Sequence, residues 1–201
     1  MNIILLRHGR TRANDERLYC GSTDLPLSES GRAGLTSQQE SLRYPDITGH
    51  RVYTSGMRRA EETLSLLYGE VEHTALPDLR EMDFGAFEMR SYEQLKDVPE
   101  YQAWCEGDNE ANIAPGGESG YIMTHRVLDC FDGLLREGHD FAIVSHGGPV
   151  SAIMERLFPD ERKNWFEWQP ANGCGYVIRI GDGEKSYRSI PEGGDEHGTE
   201  S

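Results

Sequence analysis

Apolar residues in this chain gather into short runs separated by polar, glycine-bearing stretches. Asn2-Ile3-Ile4-Leu5-Leu6 and Phe141-Ala142-Ile143-Val144 are too short for helices and too continuous for half-exposed strands, so each reads as a strand buried on both faces. Arg51-Val52-Tyr53-Thr54 predicts another strand and residues 71–76 a further one, while alternating segments at 174–180 and 185–190, joined by Gly181-Asp182-Gly183, predict a closing hairpin. Helical patterns lie between the strands. One runs from Gly31 to Arg43, capped by Ser28 and weakly amphipathic through Leu35 and Leu42. A second is capped by Ser55 and reaches Tyr68, with Leu64, Leu67 and Tyr68 toward the sheet. A third, from Ser119 to Arg136, is striped by Ile122, Val127, Leu128, Phe131, Leu134 and Leu135, and Pro149 suits the first position of a fourth. The alternation predicts an α/β fold: a mixed, mostly parallel sheet of about six strands with helices on both faces, a three-layer α-β-α sandwich.

Between Asp78 and Gly107 the pattern loosens into an acidic, aromatic stretch with short helices near Ser91 and Pro99, the kind of insertion that forms lids. No repeat or boundary divides the chain, so the expectation is a single domain over 1–190, with 78–118 as its lid or insertion. Residues 191–201 are expected to be a disordered acidic tail, since from Glu192 onward no aliphatic or aromatic side chain is available to bury. A net charge of −15 over 201 residues counts against nucleic-acid and anionic-membrane partners, which would need a basic face. The four cysteines, Cys20, Cys105, Cys130 and Cys174, show no zinc-type spacing and read as reduced thiols. Neither a bilayer-spanning run nor a leader core is present, and the expected location is the cytoplasm.

The candidate chemistry comes from how two strands end: Arg7-His8-Gly9 after the first, Ser145-His146-Gly147 after the later one. In an open α/β sheet, functional groups collect past the carboxyl ends of parallel strands, so neighbouring strands ending this way bring His8 and His146 together. A lone histidine beside a strand is usually structural; the duplicated context is what points to a site.

Arg7-His8-Gly9-Arg10-Thr11-Arg12-Ala13-Asn14 resembles the signature of the histidine phosphatase (phosphoglycerate mutase-like) superfamily. Ser55-Gly56-Met57-Arg58-Arg59-Ala60-Glu61-Glu62-Thr63, Leu79 to Glu88, Pro115-Gly116-Gly117-Glu118-Ser119 and Val144 to Gly148 are similar to its later motifs, in order. The resemblance spans residues 1–190 and implies a phosphomonoesterase, a hydrolase working through a phosphohistidine. His8 is then the nucleophile, Arg7 and Arg59 the clamps on the phosphoryl oxygens, and His146 a further donor once protonated beside the bound phosphate. Glu81 is the general acid and later the base, a role on which Phe84 and Phe87 as apolar neighbours and the arginines pull in opposite directions. Asn14 and the Gly147-Gly148 turn are expected to donate to phosphate, and Cys20-Gly21 to belong to a loop that closes near it, with packing the commoner role for Cys20. Tyr92, Tyr101 and Trp104 read equally as an aromatic substrate wall or as packing; Asp83 and Glu88 read as surface or lid carboxylates, with Asp83 a second candidate for the acid. No metal or cofactor is implied, because side chains already supply the positive charge.

Arg10 departs from an acid common at its position, and Gly56-Met57 from a Pro-Leu, which bears on the leaving group more than on the phosphate cage. The interval from Arg59 to Glu81 lacks the insertion of phosphoglycerate mutases and favours a phosphatase of a small-molecule ester. Glu88-Met89-Arg90 and Tyr101-Gln102-Ala103-Trp104-Cys105 are most similar to the α-ribazole phosphatase branch, which acts late in cobalamin assembly. The alternatives are a mutase-type phosphotransferase and a noncatalytic module that binds a phosphorylated ligand.

Overall fold

The computed structural model describes residues 1–108, 110–181 and 183–192. Six strands, β1 (Asn2–Arg7), β2 (Arg51–Thr54), β3 (Thr74–Ala75), β4 (Phe141–Ser145), β5 (Gly175–Gly181) and β6 (Glu184–Ile190), form one sheet in the order β3-β2-β4-β1-β5-β6. The first four run parallel; β5 and β6 are antiparallel additions at one edge. Eight α-helices are described: α1 (Arg12–Glu16), α2 (Glu29–Ser41), α3 (Arg58–Tyr68), α4 (Tyr92–Leu95), α5 (Pro99–Cys105), α6 (Gly120–Glu137), α7 (Gly147–Leu157) and α8 (Trp165–Trp168).

The apolar runs of β1 and β4 are continuous because both faces of the sheet are covered. Ile3, Leu5, Phe141 and Ile143 pack in the cluster that includes Met123, Val127, Phe131 and Leu134 of α6 and Val150, Ile153 and Met154 of α7. Their alternates, Ile4, Leu6, Ala142 and Val144, pack with Leu35 of α2 and Ala60, Leu64 and Leu67 of α3. That period of two across the pleat is the three-layer sandwich expected from the sequence. A smaller cluster of Phe87, Leu95, Tyr101 and Ala114 gives the insertion a core of its own. Tyr101 is therefore packing, while Tyr92 is exposed.

Several local expectations are corrected. Met57, not Ser55, sits at the start of α3, because the Ser55 hydroxyl faces His146. Pro149 is the third residue of α7 rather than the first, still within the turn where a missing N–H costs nothing. The strand expected over 71–76 shrinks to Thr74–Ala75 at the sheet edge. On α6 the stripe falls on Met123, while Ile122 is largely exposed. At the head of the expected tail, Glu192 pairs with Arg43 through backbone hydrogen bonds; residues 193–201, and Asp182 in the hairpin turn, lie outside the described residues. No helix among the described residues is long and apolar enough to cross a membrane.

Candidate active site

The register of β1 on β4 aligns Arg7 with Ser145, and the His8 amide donates to the Ser145 carbonyl at 2.9 Å. The two chains then leave the sheet together, placing the His8 and His146 rings 5.0 Å apart between centroids at 64°. Both imidazoles are buried. His8 Nδ1 lies 2.6 Å from the Gly9 carbonyl, an arrangement in which Nδ1–H donates and Nε2 keeps its lone pair. Burial, then the Arg59 charge, pushes both histidines well below the usual imidazole range, so both are neutral near pH 7.

Arg59 enters from the first turn of α3 and is almost fully buried. Its Nε donates to His146 Nδ1 at 3.2 Å, one terminal nitrogen to the Thr23 carbonyl at 2.9 Å and the other to the Gly21 carbonyl at 2.8 Å. His146 Nε2 meets the Ser55 hydroxyl at 2.8 Å. With Nδ1 accepting from a guanidinium, the proton of His146 is on Nε2. The protonated His146 expected as a third cation is thus, in this structure, a neutral ring with both nitrogens engaged. Arg7 donates to the Pro170 carbonyl at 2.7 Å, and its Nε is buried without a partner among the described residues. A guanidinium N–H left over in this way is able to donate to an anion.

Glu81 reaches the start of α7, where one carboxylate oxygen accepts from the Gly148 amide at 3.0 Å, while the other accepts from Met82 at 3.0 Å. A Cβ at position 148 would stand 2.2 Å from Glu81 Oε1 and would push the carboxylate aside. Asn14 forms a capping box with Thr11, whose amide donates to Asn14 Oδ1 at 2.9 Å, and this fixes which end of the amide is the free donor. Gly147 opens α7 against Gln169, which a Cβ would meet at 2.1 Å. Cys20 donates to the Thr23 carbonyl at 3.5 Å within its own loop, and burial pushes its thiol up, the combination of a packed cysteine.

Two supports escape a sequence reading. Glu88 accepts from the amides of Gly21 (2.8 Å), Ser22 (3.0 Å), Thr23 (3.2 Å) and Phe84 (3.1 Å) and from the Thr23 hydroxyl (2.6 Å). The loop it gathers is the one whose carbonyls hold Arg59. Within the segment expected as a lid, it anchors the loop that holds Arg59. Asp83 is likewise occupied, by the Ser22 hydroxyl and the Gly85 amide. Arg126 on α6 grips Glu118 through two parallel bonds of 2.8 and 2.7 Å and donates to the carbonyls of Asp78, Arg80 and Glu81. Burial alone would raise the Glu118 carboxyl; the Arg126 bridge and the Asp83 amide outweigh it and hold it below the ordinary carboxylate range. The Pro115–Ser119 motif thus acts on the backbone that carries Glu81.

The model of the histidine phosphatase superfamily (branch 1) matches residues 3–192. The chain is 33% identical to an adenosylcobalamin/α-ribazole phosphatase of Salmonella typhimurium, over 91% of this chain and 92% of that one. It is 30% identical to phosphoglycerate mutase-like protein 4 of Arabidopsis thaliana, over 91% and 81%. The crystal structure of the α-ribazole phosphatase from Shigella flexneri superposes with a TM-score of 0.82 at 29% identity, covering 98% of this chain and all of that one.

Proposed function

The chain belongs to the histidine phosphatase superfamily and is a phosphatase; from that premise we propose that residues 1–190 act as one domain hydrolysing a small-molecule phosphomonoester by way of a phosphate carried on His8, with α-ribazole 5′-phosphate as the first substrate to try. The observation that carries this reading is the state of His8: neutral, its Nδ1–H tied to the Gly9 carbonyl, and flanked by half-buried Arg7 and buried Arg59.

The His8 Nε2 lone pair attacks phosphorus as the bond to the ester oxygen breaks. Glu81 in its acid form gives that oxygen a proton, and the leaving group departs as an alcohol. Glu81, now ionised, takes a proton from water as the water oxygen attacks the phosphohistidine, releasing inorganic phosphate and restoring both side chains. Charge on the non-bridging oxygens persists throughout, which is why fixed donors on Arg7, Arg59, Asn14 and the Gly147 amide serve every step, the Gly148 amide being engaged by Glu81. Uncatalysed phosphate-monoester hydrolysis is so slow that about 20 kcal/mol of barrier lowering is demanded. Splitting it in two inside a cage of preset charge meets that demand.

The test is turnover of p-nitrophenyl phosphate in EDTA, with rapid alkaline quenching to recover phosphohistidine. Phosphate on His8 in the wild type, and no turnover in His8→Ala, is expected. Label on another side chain, or exchange between 2- and 3-phosphoglycerate with little free phosphate, overturns the assignment.

A further inference from the structure

Beside Glu81 lies a cavity of about 320 Å³ whose lining also includes Gly148 and Gln169. A leaving group departing from His8 toward its proton donor enters this space. Tyr19, Phe84 and Trp104 form one preassembled wall: Tyr19 lies 5.1 Å from Phe84 and 6.0 Å from Trp104 between ring centroids, and Phe84 6.4 Å from Trp104. Trp165 and Phe166 of α8 add two more rings, and Phe166 is 77% exposed, an aromatic side chain with its face uncovered at a cavity. Tyr19 is held by its hydroxyl, 2.6 Å from that of Tyr101, and Trp104 by its indole N–H on the Asn112 carbonyl at 3.1 Å. A fixed wall of this kind suits a flat apolar ring, since offset and edge-on contacts between aromatic groups add to the gain from burial.

The charge of the lining narrows the choice. Its ionisable carboxyls are Glu81 and Glu110, and among the described residues lining it there is no lysine, arginine or histidine. Glu155 and Asp108 are near enough to Glu110 to add their charge. A carboxylate on the leaving group would lose water here without gaining a cation, and would face acidic neighbours.

On the reading of the site as a phosphatase, we propose that this cavity is the leaving-group subsite and that it selects phosphomonoesters of flat aromatic, uncharged or cationic groups while turning away esters that carry a carboxylate. Selection against anions by a lining that holds carboxyls and no cation is a repulsive device; selection for rings is an attractive one. Both act on the ratio of kcat/KM between esters rather than on the phosphoryl transfer itself.

Four esters separate the two effects: 1-naphthyl phosphate, phenyl phosphate, 4-carboxyphenyl phosphate and ethyl phosphate. Wild-type kcat/KM is expected to fall in the order naphthyl, phenyl, ethyl, with the carboxyphenyl ester at least tenfold below phenyl although its phenol is of similar acidity. Phe166→Ala is expected to lower the naphthyl-to-ethyl ratio several-fold, and Glu110→Gln to raise the carboxyphenyl-to-phenyl ratio several-fold. Both positions are exposed, so folding is retained and thermal melts will verify it. A carboxyphenyl ester cleaved as well as the phenyl ester, or ratios that ignore both substitutions, overturns the subsite while leaving the phosphatase intact. No hydrolysis of any of the four overturns the phosphatase reading itself.

Discussion

Arg59 and His146 share one hydrogen bond, Nε to Nδ1 at 3.2 Å, and it fixes the tautomer of the imidazole while helping to orient the guanidinium. The Ser55 hydroxyl completes the arrangement from the other side of the ring. Lysine cannot reproduce a planar group that meets an imidazole and two carbonyls at once. Arg59→Lys should therefore lose on the order of 10²-fold in kcat/KM, as for loss of a preset transition-state donor. Ser55→Ala leaves a buried N–H without its acceptor and should cost about 1–3 kcal/mol in denaturant unfolding.

Glu88 touches neither histidine, yet it gathers the loop whose carbonyls orient Arg59. Replacing it by glutamine puts an NH2 group among amides that need an acceptor, and a clamp displaced by about 1 Å can cost ~10²-fold. The expected outcome is a fall in kcat/KM for Glu88→Gln that disappears when Arg59 is already alanine. Additive losses in that double-mutant cycle would show that Glu88 acts elsewhere.

Gly148 leaves room for the Glu81 carboxylate, and a methyl group at that position would take the space away. Gly148→Ala should impair cleavage of alkyl phosphates far more than of p-nitrophenyl phosphate, whose leaving group departs without a proton. General-acid assistance is worth ~10²–10⁴-fold, which bounds the difference. Equal loss on both esters would point to a damaged phosphate cage instead.

Stability should depend on pH in mild acid because His8 and His146 are buried and neutral. Their folded pKa values lie below the unfolded one, near 6.5, so the unfolded chain binds more protons and gains on the folded one as pH drops. Stability is full above about pH 6.5 and declines below it, by up to about 1.4 kcal/mol per pH unit for each imidazole. Urea midpoints between pH 7.5 and 5 are expected to fall in the wild type and to fall less in His8→Ala. A flat profile would mean that these rings are solvated.

The apolar runs of the sequence determined the strands, and the continuous burial of β1 and β4 required helices on both faces, so the layer architecture was legible. Motif order likewise led to the catalytic candidates, since His8 and His146 follow directly from strands that had to pair. Helix starts were less legible: Ser55 carries a capping residue type but spends its hydroxyl on His146, a choice only the approach of β2 to β4 makes possible. Asp83 and Glu88 read only as surface or lid carboxylates, and Arg126 gave no signal, because most of their partners are backbone amides and carbonyls, which carry no sequence signal. Of the subsite beside Glu81 the sequence offered only Trp104 as a wall candidate, since its rings come together from α8, the insertion and the loop at Tyr19. Sequence alone chose which chemistry the chain can perform, through residue types at the ends of two buried strands. The folded chain decided how each group is held and what it faces, because those depend on distances between segments up to about 160 positions apart.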